Sequence, residues 1–195
     1  EDNLKNDVLA HEASLKLAKA NFYKKDFDWT LQQVKVLKQS PSLLIANDAI
    51  EMFLLIQDNS AEDSLRVALQ AYSTADLKLY QNKKEEALQL FLAILQKHKG
   101  ESIEEGTLFK VGKIYEEKGD FNKALTYYQN ILDNHKDGIY KDEALYFSAE
   151  IYRKHLLDNE KAKALYEKVV LEHPDSLYYT ESRKQYRTLR GDSTI

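Results

Sequence analysis

Apolar residues recur three and four positions apart along nearly the whole chain, the period of a helix with one buried face. Between Asn3 and Lys24 they stand at Leu4, Val8, Leu15, Ala18 and Phe22. A second helix is predicted through Leu31, Val34 and Leu37, with Asp26 as its N-cap, because an Asp carboxylate accepts from the unpaired N–H groups of a first turn. Ser40-Pro41-Ser42 stops that helix and starts a third, with Leu43 to Ile56 as its apolar body and Pro41 near its first position. Asp58-Asn59-Ser60 ends it. A long helix then spans Ala61 to Tyr80, and after a turn at Gln81-Asn82-Lys83 another spans Lys84 to His98. Gly100 closes it in the left-handed conformation that glycine adopts without strain. Four more helices are predicted over Ser102 to Lys118, Asp120 to Asn134, Tyr140 to His155 and Asn159 to Glu172. A last one follows His173-Pro174-Asp175-Ser176 and ends near Arg190. The pattern is that of an all-α protein of about ten helices joined by short loops, with no strand.

The helices repeat. Ala87, Ala124 and Ala162 stand 37 and 38 residues apart, and each is followed four residues later by Phe91, Tyr128 or Tyr166. Ile94, Ile131 and Val169 come three residues after each ring. In the preceding helices Ala75, Gly112 and Ala149 recur at a spacing of 37. Small residues at one phase are what paired helices need where they approach closely. The shift from 37 to 38 is assigned to one extra residue in the turn from His155 to Asn159.

The best-formed unit is Leu108 to Lys136, LFKVGKIYEEKGDFNKALTYYQNILDNHK. It resembles a tetratricopeptide repeat, a helix-turn-helix of about 34 residues with the pattern W-x2-L-G-x2-Y, then A-x3-F, then Pro. Gly112, Tyr115 and Ala124 match, while Leu108 replaces the Trp, Val111 the Leu, Tyr128 the Phe and Lys136 the Pro. The resemblance implies a right-handed α–α superhelix of antiparallel helices. Residues 61–174 divide into three such units, about 61–99, 100–136 and 137–174. Residues 1–60 are repeat-like in one of two registers. Ala49-x3-Phe53-x2-Ile56 fits a second helix, whereas Lys25-Asp26-Phe27 imitates the turn Gly119-Asp120-Phe121 and would make the helix after it the second one. Residues 175–195 are expected to form a capping helix and tail. Arg187 falls in the small-residue slot there, and with Arg183, Lys184 and Arg190 it suits a solvated cap that ends an array.

In this family the first helices line a concave groove, and carrying its contact positions onto the chain names the candidate site. The first unit contributes Tyr72, Asp76, Leu79 and Tyr80. The second contributes Phe109, Lys113, Glu116 and Glu117, and the third Tyr146, Glu150, Arg153 and Lys154. Exposed aromatics beside mixed charges suit an extended peptide or a partner helix. The chaperone-tail clamp of the family needs Lys where this chain has Tyr72, Phe109 and Tyr146, and Asn where it has Asp76, Lys113 and Glu150. Chaperone tails are therefore not the expected ligand.

Charge and composition narrow the partner further. A net charge of -4 supplies no pull towards nucleic acid or anionic lipid. There are no cysteines, which excludes disulfides and thiolate metal sites without fixing a compartment. No apolar run approaches the roughly 20 residues a membrane-spanning helix needs. The chain opens at Glu1 with neither an initiator Met nor a leader, as a trimmed chain or a piece of a longer one would.

No reactive constellation is evident. His98, His135 and His173 share one position at the ends of successive second helices, where a cation favours the helix dipole. His11 lacks the second His four residues on that a helical zinc motif requires. Asp58 to Asp63 lacks the Gly and the distal Glu of an EF-hand loop and reads as a turn. The Glu pairs at 85–86, 104–105 and 116–117 read as solvated faces. No nucleophile elbow or phosphate loop is present, so neither enzymatic activity nor a cofactor is expected. Arg190-Gly191-Asp192 spells an integrin-type tripeptide but reads as a helix ending on a glycine.

The junctions His173-Pro174-Asp175-Ser176-Leu177-Tyr178 and Asp137-Gly138-Ile139-Tyr140-Lys141-Asp142-Glu143-Ala144 are similar to those of bacterial envelope tetratricopeptide proteins, among them outer-membrane assembly lipoproteins and the Tol-Pal coordinator. That likeness, over roughly residues 61–190, implies a periplasmic or outer-membrane-associated scaffold from which a signal peptide has been removed. A cytoplasmic regulatory module and an accessory domain of a larger enzyme are the competing readings.

Overall fold

The computed structural model describes residues 8–60, 65–135 and 138–192. The expected helix start at Asn3 and Leu4, the Ala61-Glu62-Asp63 segment and the Lys136-Asp137 junction lie outside them. Among the described residues there are ten α-helices and no strand. They fall into two compact units, Glu1–Thr107 and Leu108–Ile195.

The first unit holds α1 (Val8–Tyr23), α2 (Phe27–Leu37), α3 (Leu43–Asp58), α4 (Val67–Tyr80) and α5 (Lys84–Lys97), with the start of α6 (Ile103–Glu117). Leu15 and Ala18 of α1, Val34 and Leu37 of α2, and Ile45 and Ala49 of α3 form one core, with Met52 and Phe53 against it. At the other end of α1, Phe22 meets Phe27 edge-on with ring centroids 5.5 Å apart. Ser73 of α4 donates from its buried hydroxyl to the Phe22 carbonyl at 2.8 Å, tying α4 to α1.

Two expectations for this unit are corrected. Pro41 does not stand at the first helical position; Ser42 is the N-cap of α3, so Pro41 precedes the cap. The fourth helix begins at Val67 and not at Ala61. Arg66, its N-cap, has φ 52 and ψ 43, a left-handed conformation that no α-helix continues through. Asp28 pairs with Arg66 at 2.7 Å and holds it there.

The second unit holds the rest of α6, then α7 (Phe121–Asn134), α8 (Lys141–Ile151), α9 (Asn159–Glu172) and α10 (Tyr179–Arg190). The repeating small and aromatic positions are its core. Ala124, Tyr128 and Ile131 of α7 and Ala162, Tyr166 and Val169 of α9 are all fully buried. So is Ala149 of α8, which packs with Ala162 and Tyr166 beneath Tyr186 and Leu189 of α10. Arg183, Lys184, Arg187 and Arg190 are exposed, and Ser182 is the buried contact of α10.

One turn recurs in both units. Lys25, Asn82, Gly119 and Leu157 all have φ between 55 and 77, and each is followed by the N-cap of the next helix. The Asp26, Asp120 and Asp158 carboxylates accept from the N–H three residues on. The turn before α2 therefore has the geometry of the other first-to-second-helix turns, and α2 stands where a second helix stands. The N–H groups of Asp26, Lys83 and Asp120 donate to carbonyls five residues back, but that of Asp158 reaches Tyr152, six back. The extra residue of the third repeat thus lies inside the helix end, where Tyr152–Leu156 widens into a π-helical turn, and the turn itself keeps the common form. A π-bulge is how a helix absorbs one inserted residue without losing its axis.

Candidate functional site

The first-helix face of the second unit gathers the α6 and α8 candidates. Phe109 stacks on Tyr140 with centroids 4.8 Å apart, and one repeat later Tyr146 stacks on Tyr178 at 4.3 Å. Tyr140 and Tyr178 come from the junctions that precede α8 and α10, so the junction tyrosine covers one side of the aromatic that precedes it. Phe147 lies between, edge-on to Tyr146 and Tyr178, with Lys113 Nζ 3.6 Å above its ring centre. A cation over an aromatic face is held by the ring quadrupole.

Beside these rings run two ion pairs of opposite polarity. Lys113 pairs with Glu116 at 3.0 Å, and one repeat on Glu150 pairs with Arg153 at 3.1 Å. Each pair is anchored by the core tyrosine of its own second helix. Tyr128 donates to Glu116 at 2.8 Å, and Tyr166 donates to Glu150 while accepting from Arg153 Nε at 3.1 Å. Burial, and then the adjoining carboxylate, raises both tyrosine hydroxyls far above their ordinary value, so they serve as neutral donors. Glu150 is only 7% exposed. Burial pushes its carboxyl up, but hydrogen bonds from Lys154, Tyr166 and Arg153 outweigh that and leave it below the usual range. Burial, with the Glu150 and Glu181 charges, pushes the Tyr146 hydroxyl up to about 12.

A cleft of about 220 Å³ opens here, lined by Glu116, Tyr146, Phe147, Glu150, Lys154 and His155. Four of these are sequence candidates. Phe147 and His155 were not; Phe147 is offset by one from the contact position, and His155 enters through the π-helical turn, stacking on Phe121 at 4.0 Å. Arg153 lies partly buried behind Glu150, Phe109 and Lys113 flank the cleft, and Glu117 is exposed.

The first-unit candidates do not form an equivalent surface. Tyr72 is 2% exposed and meets Phe91 edge-on at 5.4 Å, so its ring belongs to the core and is closed to a ligand. Asp76 accepts from the Tyr23 hydroxyl at 3.0 Å, Leu79 is half-buried, and Tyr80 is exposed with its ring 5.7 Å from that of Tyr23. Among the described residues no cluster of three or more His, Asp or Glu could hold a metal ion, and no helix is long and apolar enough to cross a membrane.

Paired antiparallel helices in register, with small residues buried at each crossing, define the class: an α-helical repeat protein. Residues 107–138 and 143–176 match the tetratricopeptide repeat family model, and these two segments are tetratricopeptide repeats. Such repeats generally mediate protein–protein interaction. The chain matches no curated protein.

Proposed function

We propose that the chain is a non-catalytic scaffold that binds an extended peptide or partner helix at the first-helix cleft of its second unit, in the assembly of a bacterial envelope complex. The observation that carries the binding site is the conjunction at Tyr146, Phe147, Glu150 and Lys154: aromatic surface, a positive rim and a buried carboxylate around one concavity. Aromatic anchors among fixed charges give an interface both area and register. The envelope context rests on the Pro174-Asp175-Ser176-Leu177-Tyr178 junction, whose tyrosine is the residue stacked on Tyr146. On this reading the protein works in the periplasm or at the outer membrane.

The test is quantitative affinity capture from the native organism with wild type and Lys154→Glu, which reverses the charge of a half-exposed rim residue. A partner of the proposed kind is captured by wild type and depleted at least about tenfold by the variant, while helical circular dichroism stays unchanged. Equal capture by both proteins rules out the cleft as the site. A signal peptide or lipobox cysteine in the full-length gene supports the envelope assignment, and its absence removes it.

A further inference from the structure

In the first unit one helix stands outside the pairing. Thr30 of α2 holds the place of Ala87, Ala124 and Ala162, each five residues after a turn residue of positive φ. Ala87 and Ala124 are 37 residues apart, but Thr30 and Ala87 are 57 apart, an excess of 20. Those residues are α3 and its links, inserted between the pair α1–α2 and the pair α4–α5. α3 packs on α2 and α1, whereas α4 packs on α1 and α5. An inserted helix thus has no second helix of its own.

Its composition is that of a helix enclosed on both sides. Of the 16 residues LLIANDAIEMFLLIQD, 11 are apolar. Ile45, Ala49 and Ile56 are buried, and Met52 and Phe53 pack against the same core. That accounts for one face. On the opposite face Leu43 is 74% exposed, Leu44 71% and Ile50 39%, with Leu54 half-buried. Apolar residues exposed singly are ordinary, but a helix apolar all round is normally covered all round. Leu43, Asn47, Ile50 and Leu54 also follow one another at spacings of four, three and four. That is the spacing of a seam between two helices, in which a lone Asn sets register.

The charge beside this seam has one sign. α3 carries Asp48, Glu51 and Asp58 and no basic residue. Lys19 of α1 neutralises Asp48 at 2.9 Å. Lys38 of α2 lies over the Phe53 ring, 3.6 Å from its centre, on the core side. Asn47 donates to Glu51 at 2.8 Å and so holds that carboxylate next to the seam. Asp58, seven residues on, lies on the same flank and is exposed. Pairing α3 with α3 of a second copy would bring acids to acids, with no base on either helix. A helix that lies on a membrane surface carries Lys and Arg beside its apolar face, and α3 has neither.

We infer that the outward face of α3 is a docking site for an amphipathic helix of another protein, with an apolar stripe of four-three spacing and a basic flank. Leu43, Leu44, Ile50 and Leu54 receive the stripe, as anchors one and two turns apart do in helix recognition. Lys or Arg of the incoming helix pairs with Glu51 and Asp58, which fixes its direction. The protein then holds a second partner through an inserted helix, at residues unrelated to the cleft at Tyr146.

The probe is a designed helix of about 18 residues, five turns, blocked at both ends, with Leu and Ile at four-three spacing and Lys along one flank. A twin peptide carries Glu in place of Lys. Fluorescence anisotropy and amide chemical-shift mapping are run with the intact chain. The Lys peptide binds at least about fivefold more tightly than its twin, the worth of two exposed ion pairs, and the shifts concentrate in α3. Leu43→Ser with Ile50→Ser weakens it at least about tenfold, since apolar area is lost at two anchors. Asp58→Asn narrows the preference for Lys. Leu43→Ser alone, at a largely exposed position, weakens binding about threefold and keeps the test valid should Ile50→Ser perturb folding. The inference is overturned if neither peptide binds, if the shifts map to Tyr146 and Glu150, or if the serine variants bind like wild type. It is equally overturned if sedimentation shows a dimer that the serine variants dissolve, which assigns the face to a second copy. Flotation with vesicles of phosphatidylethanolamine and phosphatidylglycerol, lost in the same variants, would assign it to a membrane instead.

Discussion

Gly112 lies directly against the ring of Tyr128: a Cβ built on the glycine stands 2.5 Å from Cε1 and 2.9 Å from Cδ1 of that ring. Tyr128 is fully buried and its hydroxyl is committed to Glu116, so the ring cannot swing away cheaply. Helix packing thereby reaches the candidate site, because the residue that fixes the ring also fixes the Glu116 carboxylate on the cleft wall.

Gly112→Ala is therefore expected to destabilise the protein by about 1–2 kcal/mol. Overpacking a filled core costs about 1–3 kcal/mol, and the better helix propensity of Ala returns up to about 1 kcal/mol. Urea unfolding measures the difference. In a Tyr128→Leu background, where the ring is gone, Gly112→Ala should cost almost nothing, a coupling that a double-mutant cycle reads directly; if the single variant is as stable as wild type, the contact is not the constraint described.

Two candidate rings of α4, Tyr72 and Tyr80, should behave in opposite ways. Tyr72→Ala removes a core ring and is expected to cost about 3–5 kcal/mol, the usual range for a buried aromatic. Tyr80→Ala removes a ring that is 74% exposed and should stay within about 0.5 kcal/mol. Chemical denaturation of both variants decides it. A mild Tyr72→Ala would return that residue to the candidate surface.

The period of the small and aromatic residues made the helices of the second unit legible, since Ala124, Tyr128, Ala162 and Tyr166 are buried for the very reason that spaces them. What it could not convey was which exposed-looking positions are already occupied. Tyr72 and Tyr146 hold the same position in the repeat, but one is sealed against Phe91 and the other is open beside Tyr178. That difference depends on partners distant in sequence. The extra residue of the third repeat showed in the spacing, but not that the helix end at Tyr152–Leu156 absorbs it in place of the turn, and the left-handed Arg66 left no mark because it is not a glycine.

The charge on Glu150 should make stability fall in acid. Its folded pKa lies below the ordinary 4.5, so the stabilisation is complete above that value and is lost as the pH falls through the lower, folded value. Hydrogen bonds to a buried charge are worth about 1.5–3 kcal/mol, so Glu150→Gln should cost about 2 kcal/mol at pH 7. The gap to wild type should close progressively below about pH 4.5. Unfolding midpoints of both proteins across pH 3–8 provide the check, and a gap that does not change with pH would assign the loss to packing instead of charge.

Leu157 offers the opposite kind of change, a gain. It is 76% exposed and has φ 55, where a side chain meets the following carbonyl at a cost of roughly 1–2 kcal/mol. Gly119 fills the same place in the preceding turn with φ 77. Leu157→Gly gives up almost no packing and relieves the strain, against roughly 0.5–1 kcal/mol of added chain entropy in the unfolded state. The net expectation is a stabilisation of about 0.5–1 kcal/mol, a rise in Tm of about 1–4 °C for a chain of this size. The π-helical turn should survive, because the extra residue between Tyr152 and Asp158 is still present. Thermal unfolding reports the first effect, and amide exchange at Leu157 and Asp158, whose N–H groups both donate to the Tyr152 carbonyl, reports the second. A drop in Tm would show that the exposed leucine holds the turn through contacts and is not merely tolerated there.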